Sequence, residues 1–104
     1  MADKSWKSFE RRIAKAVGGK RRGADFRNRE ASGGMDDIDH PDLSIECKLL
    51  KSVSWCHILG AVKQAETNAP EGKLPLALLK KSGALDKDTL VVMRLERFLE
   101  LDDE

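Results

Sequence analysis

The stretch from Met35 to Leu50, MDDIDHPDLSIECKLL, constrains this chain more than any other. It alternates polar and apolar residues on both sides of Pro41-Asp42. Proline presets the first corner of a turn and aspartate suits the second. A two-residue hairpin there would set His40 opposite Leu43, Asp39 opposite Ser44, Ile38 opposite Ile45 and Asp37 opposite Glu46. Side chains alternate along a strand. Asp37, Asp39, Glu46 and Lys48 would then line one face, with Ile38, Leu43, Ile45, Cys47 and Leu49 on the other. Opposed carboxylates repel unless a cation lies between them, and a divalent metal is the common answer. Type I turns splay hairpin strands, so a longer or bulged loop would shift this register. His40, at the turn edge, reads as a structural hydrogen-bonding residue, not a ligand.

The 104 residues fit one domain, 1–104, with a single core around a small sheet. No apolar run approaches the roughly 20 residues of a membrane span, and MADKSWKSFERR lacks the apolar core of a signal peptide. Two cysteines give no disulfide framework. Cys47 falls on the oily strand face, so a reduced, cytoplasmic setting is the simple expectation. The net charge of +1 hides an asymmetry: residues 1–30 hold ten Lys/Arg against four acids, and the remainder holds nine against fourteen. A basic segment beside an acidic one points to a polyanion partner, nucleic acid first. The plainer alternative is solvated charge that cancels overall.

Taken in order, Ser5 to Val17 reads as a helix stopped by Gly18-Gly19, with Trp6, Phe9, Ile13 and Val17 as its buried stripe. Glu10 lies four residues after Trp6 and so falls within that stripe. An inward carboxylate is costly unless paired or metal-bound. The alternative is a glutamate at the stripe's edge that bends to solvent or finds a neighbouring arginine. Residues 18–34 are basic and Gly-rich, carrying Lys20, Arg21, Arg22, Arg27 and Arg29, a set suited to gripping phosphates. A weak strand is expected over 24–28. A second helix follows the hairpin over about 54–67, with Trp55, Ile58, Leu59 and Val62 as its stripe and Gln64 away from it. A loop from Asn68 to Lys73, a strand over 74–80, a strand over 89–93 and a terminal helix over 94–101 complete the chain. Leu95, Phe98, Leu99 and Leu101 are available for packing. The order α-β-β-β-α-β-β-α implies an α/β domain with a mixed central β-sheet flanked by helices.

Residues 46–48, Glu-Cys-Lys, place a carboxylate and an amine on one strand face. With Asp37 at hairpin register, this set suits phosphodiester hydrolysis: acids hold a divalent cation and the lysine steadies developing charge. An acidic strand face salted with Lys48 is the bland alternative. Cys56-His57 with Cys47 lacks the paired spacing of a zinc site. No nucleotide-binding Gly loop is present among the glycines of 18–34.

These residues resemble the PD-(D/E)XK nucleases, in particular the small Holliday junction resolvase-like members. The resemblance rests on ERRIA at 10–14, DDIDHPDLSIECK at 36–48, QAE at 64–66 and LVVMRLERF at 90–98. It departs at Asp36, where the family commonly has proline, and the literal Pro41-Asp42 belongs to the turn. The resemblance implies a restriction-endonuclease-like fold and a Mg²⁺-dependent endodeoxyribonuclease, with Mn²⁺ able to substitute. It implies that Asp37, Glu46 and the Cys47 backbone carbonyl hold the metal and that Lys48 supports the attacking water. Glu10 and Gln64 would assist, and a homodimer would cut two strands of a four-way DNA junction. Two other functions remain open on the sequence: a nicking, restriction-like or repair endonuclease on duplex or flap DNA, and a non-catalytic DNA-binding protein on the same fold.

Overall fold

A computed structural model of the chain describes residues 5–21 and 36–101. The first helix, α1 (Ser5–Val17), ends where Gly18 takes a positive φ of 76°. Phe9, Glu10, Ile13 and Ala14 are its buried residues. Trp6, expected in the stripe, is instead 43% exposed. Gly19 then passes so close to the sheet that a Cβ there would lie 2.6 Å from the Asp39 carbonyl oxygen and 2.8 Å from the Ile38 side chain. Gly19→Ala is accordingly expected to cost about 1–3 kcal/mol of stability, as over-packing does, measured by urea unfolding against the wild type.

Among the described residues, five strands form one sheet in chain order: β1 (Lys20–Arg21), β2 (Ile38–Asp39), β3 (Leu43–Leu50), β4 (Leu74–Lys81) and β5 (Leu90–Val92). β1–β2, β2–β3 and β4–β5 are antiparallel, and β3–β4 is parallel. The parallel pair needs a crossover, which α2 (Trp55–Asn68) supplies. A 3₁₀ turn (Asp86–Asp88) precedes β5, and α3 (Leu95–Leu101) follows it. The α/β class, the mixed sheet and the element order agree with the expectation. The strand expected over 24–28 lies outside the described residues; the first observed strand is β1.

The hairpin pairs Ile38 with Ile45 and Asp39 with Ser44, the register that Pro41-Asp42 implies. His40 secures the turn by accepting the Asp42 and Leu43 amides on Nδ1, at 3.0 and 3.2 Å. Ile38, Ile45 and Cys47 pack with Phe9, Ile13, Leu76 and Leu78 beneath α1. The opposite sheet face, Ala77 and Leu79, packs under Ala61 and Val62 of α2. β4 is therefore covered on both faces, as its apolar run requires.

Two expectations about α2 are corrected. Its contact with the sheet runs through Ala61 and Val62 with Ile58 packed beside them, so Ile58 and Val62 of the expected stripe face the sheet, whereas Trp55 is 73% exposed. Small residues let the helix lie close on the shallow Ala77 surface, so the bulky first turn does not set the contact. The helix also continues through Asn68, which was expected in the loop. Ser54, in extended conformation, caps it by accepting the His57 amide. No helix among the described residues is long and apolar enough to cross a membrane.

Candidate active site

β3 outruns β2. Paired residues reach only Ser44 and Ile45 on the β2 side, whereas β3 runs on to Leu50. Beyond that point the ladder slips by one residue: the Asp37 amide donates to the Ile45 carbonyl at 2.9 Å. The Asp37 carboxylate then accepts the Cys47 amide at 2.8 Å, in place of a backbone partner. Asp37 thus does not sit squarely opposite Glu46, as an unbroken register would have placed it. Its side chain still stands close enough to Glu46 for its charge to raise the Glu46 carboxyl.

The slip opens a cavity of about 360 Å³ that wraps the exposed edge of β3. Glu10, Asp37, Glu46, Cys47, Lys48 and Gln64 all line it. Parity explains how they meet. Glu46 and Lys48 pair with Ala77 and Leu79, which face α2, while Cys47 pairs with Leu78 under α1. Glu10 comes from α1 and Gln64 from α2, so the cavity collects side chains from both layers around one strand.

Glu46 is 1% exposed and accepts from Asn68 Nδ2 at 2.9 Å. Burial, then the charge of Asp37, raises its pKa to about 7; Asn68 and Lys48 oppose the rise. A carboxyl group that retains its proton to neutrality beside a second carboxyl is short of positive charge. That shortage is the chemistry a divalent cation relieves, so Asp37 and Glu46 fit a metal as a two-carboxylate seat. Among the described residues, no group of three or more His, Cys, Asp or Glu side chains forms a ready cage. The nearby Cys47 thiol is pushed far up by burial and by Asp37, Glu10 and Glu46, which removes it as a nucleophile.

Glu10 is buried, and Arg21 holds its carboxylate at 2.7 Å. The guanidinium also lies 5.7 Å from the Trp6 ring centroid, so Trp6 serves as a wall of the cavity. Arg21 is therefore tied to the acidic site, while Lys20 is exposed on β1. Arg22, Arg27 and Arg29 lie outside the described residues. Asn68 was missed in the sequence; its position four residues after Gln64, on one helix face, was the available signal. Asp42 is exposed at the turn and borders a different cavity, of about 480 Å³, with Lys73 and Arg97. That larger cavity contains mixed charges, with Glu66 already paired to Arg94, and lacks the acid–lysine arrangement of the β3 edge. No protein-family model, no curated protein and no solved structure matches this chain.

Proposed function

We propose that the chain is a metal-dependent DNA endonuclease of the PD-(D/E)XK type, acting on four-way junctions. The observation that carries this reading is the convergence of Asp37, Glu46, Lys48, Glu10 and Gln64 on one solvent-open cavity, with Glu46 held protonated near neutrality. Asp37 and Glu46 would hold Mg²⁺, completed by the Cys47 carbonyl. When bound, the ion supplies charge neutralisation at the phosphate and a more acidic water.

The chain's own residues do the rest. Asn68 fixes one oxygen of Glu46. The Cys47 amide fixes one oxygen of Asp37. With both carboxylates anchored, little reorganisation accompanies the reaction. Lys48, two residues along the same strand face, orients the attacking water and balances charge as it grows on the phosphoryl oxygens. Glu10, steadied by Arg21, stands across the cavity to take up a proton. Lys20, with Arg22, Arg27 and Arg29 after it, would contact the phosphate backbone and position the substrate without reading its sequence.

Incubating the protein with labelled four-way junction, linear duplex and flap DNA, in Mg²⁺ or EDTA, tests this reading. Junction cleavage that requires Mg²⁺ is expected. Equal cutting of duplex would assign a general endonuclease, and binding without cutting would assign a DNA-binding protein.

The homodimer belongs to the same proposal. Leu95, Phe98 and Leu99 share one face of α3 at helical spacing and are all more than half exposed, which leaves an apolar stripe uncovered. A second copy of the chain would cover it. Leu95→Glu combined with Phe98→Glu is expected to halve the mass seen in sedimentation equilibrium; an unchanged mass would place the interface elsewhere.

A further inference from the structure

Lys80 occupies a position where the β4 pattern calls for an apolar residue. Leu74, Leu76 and Leu78 point under α1, and Lys80 is the next inward side chain. It is 7% exposed, with its ammonium 4.9 Å from the Phe9 ring centroid. Burying an ammonium is expensive unless something draws it there. It forms part of the wall of a notch of about 340 Å³, shared with Arg12, Ser8 and Ser82. Ser8 and Arg12 are one turn apart on α1, so both face the same opening.

The lining holds two cations and two hydroxyls and no carboxylate. Asp86 reaches in from the 3₁₀ turn, bonding Lys80 at 2.7 Å and Arg12 through two guanidinium nitrogens. One carboxylate balances one of two cations, and one positive charge is left over. Leu49, the register partner of Lys80, lines both this notch and the cavity that holds Glu46. The two openings thus share Leu49 as a lining residue.

We propose that this notch is an anion site, which binds a phosphate of the nucleic acid strand next to the scissile phosphate at the Glu46 cavity. The two cations and hydroxyls carry the anion assignment; the identity of the ligand as nucleic acid rests on the proposed function. Arg12 and Lys80 supply the charge, Ser8 and Ser82 the hydrogen bonds, and Asp86 holds both cations in place and competes with the incoming anion. Strand binding across both openings fixes the direction in which the backbone crosses the β3 edge.

Two variants with opposite expected signs test it. Arg12→Gln alters a half-exposed side chain and leaves the fold intact. Asp86→Asn keeps an acceptor for Lys80 and removes the competing charge. Titrating ¹⁵N-labelled protein with inorganic phosphate is expected to shift the Ser82 and Gly83 amides in the wild type. The shift weakens in Arg12→Gln and saturates at lower phosphate in Asp86→Asn. In Ca²⁺, with uncut four-way DNA, Arg12→Gln is expected to lower the slope of log affinity against log salt by about 0.9, one phosphate contact. Phosphate shifts that are absent, or identical in all three proteins, overturn the notch. An unchanged salt slope in Arg12→Gln, with DNA bound normally, also overturns it. Phosphate shifts that follow the variants in a protein that binds no DNA uphold the notch and refute the nucleic-acid reading instead.

Discussion

Asp37→Asn is expected to do two opposite things: abolish Mg²⁺-dependent cleavage and stabilise the metal-free protein. The first follows from removing half of the two-carboxylate seat. Losing one such electrostatic group typically costs about 10²–10³-fold in rate, read here by single-turnover cleavage of labelled junction DNA. The second follows from Glu46. Its pKa is raised in part by the Asp37 charge, so neutralising Asp37 relieves a repulsion that the metal-free fold otherwise bears. The amide oxygen can still accept from the Cys47 N–H, so the loop is not undone. Urea unfolding at pH 8 in EDTA should show the variant more stable by about 1–2 kcal/mol, the scale of one pKa unit of interaction. A variant that is inactive and also less stable would point to collapse of the hairpin as the cause of inactivity.

Raising pH is expected to weaken the metal-free protein over a defined window. Between about pH 4.5 and 7 the folded chain keeps a proton on Glu46 that the unfolded chain has lost. The folded state binds more protons, so stability falls as pH rises through that window and levels off above it. The full span is worth about 3 kcal/mol at the exchange rate of one pKa unit. Glu66 and Asp86 act in the other direction. Arg94 holds the Glu66 carboxyl low, and Arg12 and Lys80 hold Asp86 low, so their contributions are lost only in more acidic solution. Glu46→Gln should flatten the slope between pH 5 and 8. Mg²⁺ should restore stability above pH 7, where Glu46 is ionised, and do little at pH 5. Denaturant midpoints at pH 5 and 8.5, with Mg²⁺ or EDTA, read all four conditions.

Much of the candidate site was legible because local rules and the fold agree there. Pro41-Asp42 and the period-2 alternation together specified the hairpin register, and Glu10 was marked by falling four residues after Trp6. What escaped depended on other elements. Periodicity placed Trp55 in a buried stripe because a helix pattern does not know that the opposing sheet presents Ala77 and favours the small Ala61 and Ala65. Asn68 looked like loop because Asn, Ala and Pro follow one another, yet it is the last residue of α2 and holds Glu46. The one-residue slip at Asp37 has no local signature. It arises because β2 stops while β3 continues, leaving the Cys47 amide to be satisfied by a side chain. Lys80 was hidden within an apolar run, and its partner Asp86 lies in a turn after the strand.

The central claim is that the carboxylate pair at the β3 edge hydrolyses DNA through a divalent cation. Cleavage of end-labelled four-way junction by wild type and Glu46→Gln, each in Mg²⁺ and in EDTA, tests it most directly. Cutting by the wild type in Mg²⁺ alone, with Glu46→Gln folded but slower by about 10²-fold or more, is the predicted result. Cutting that persists in EDTA, or full activity in Glu46→Gln, would contradict it.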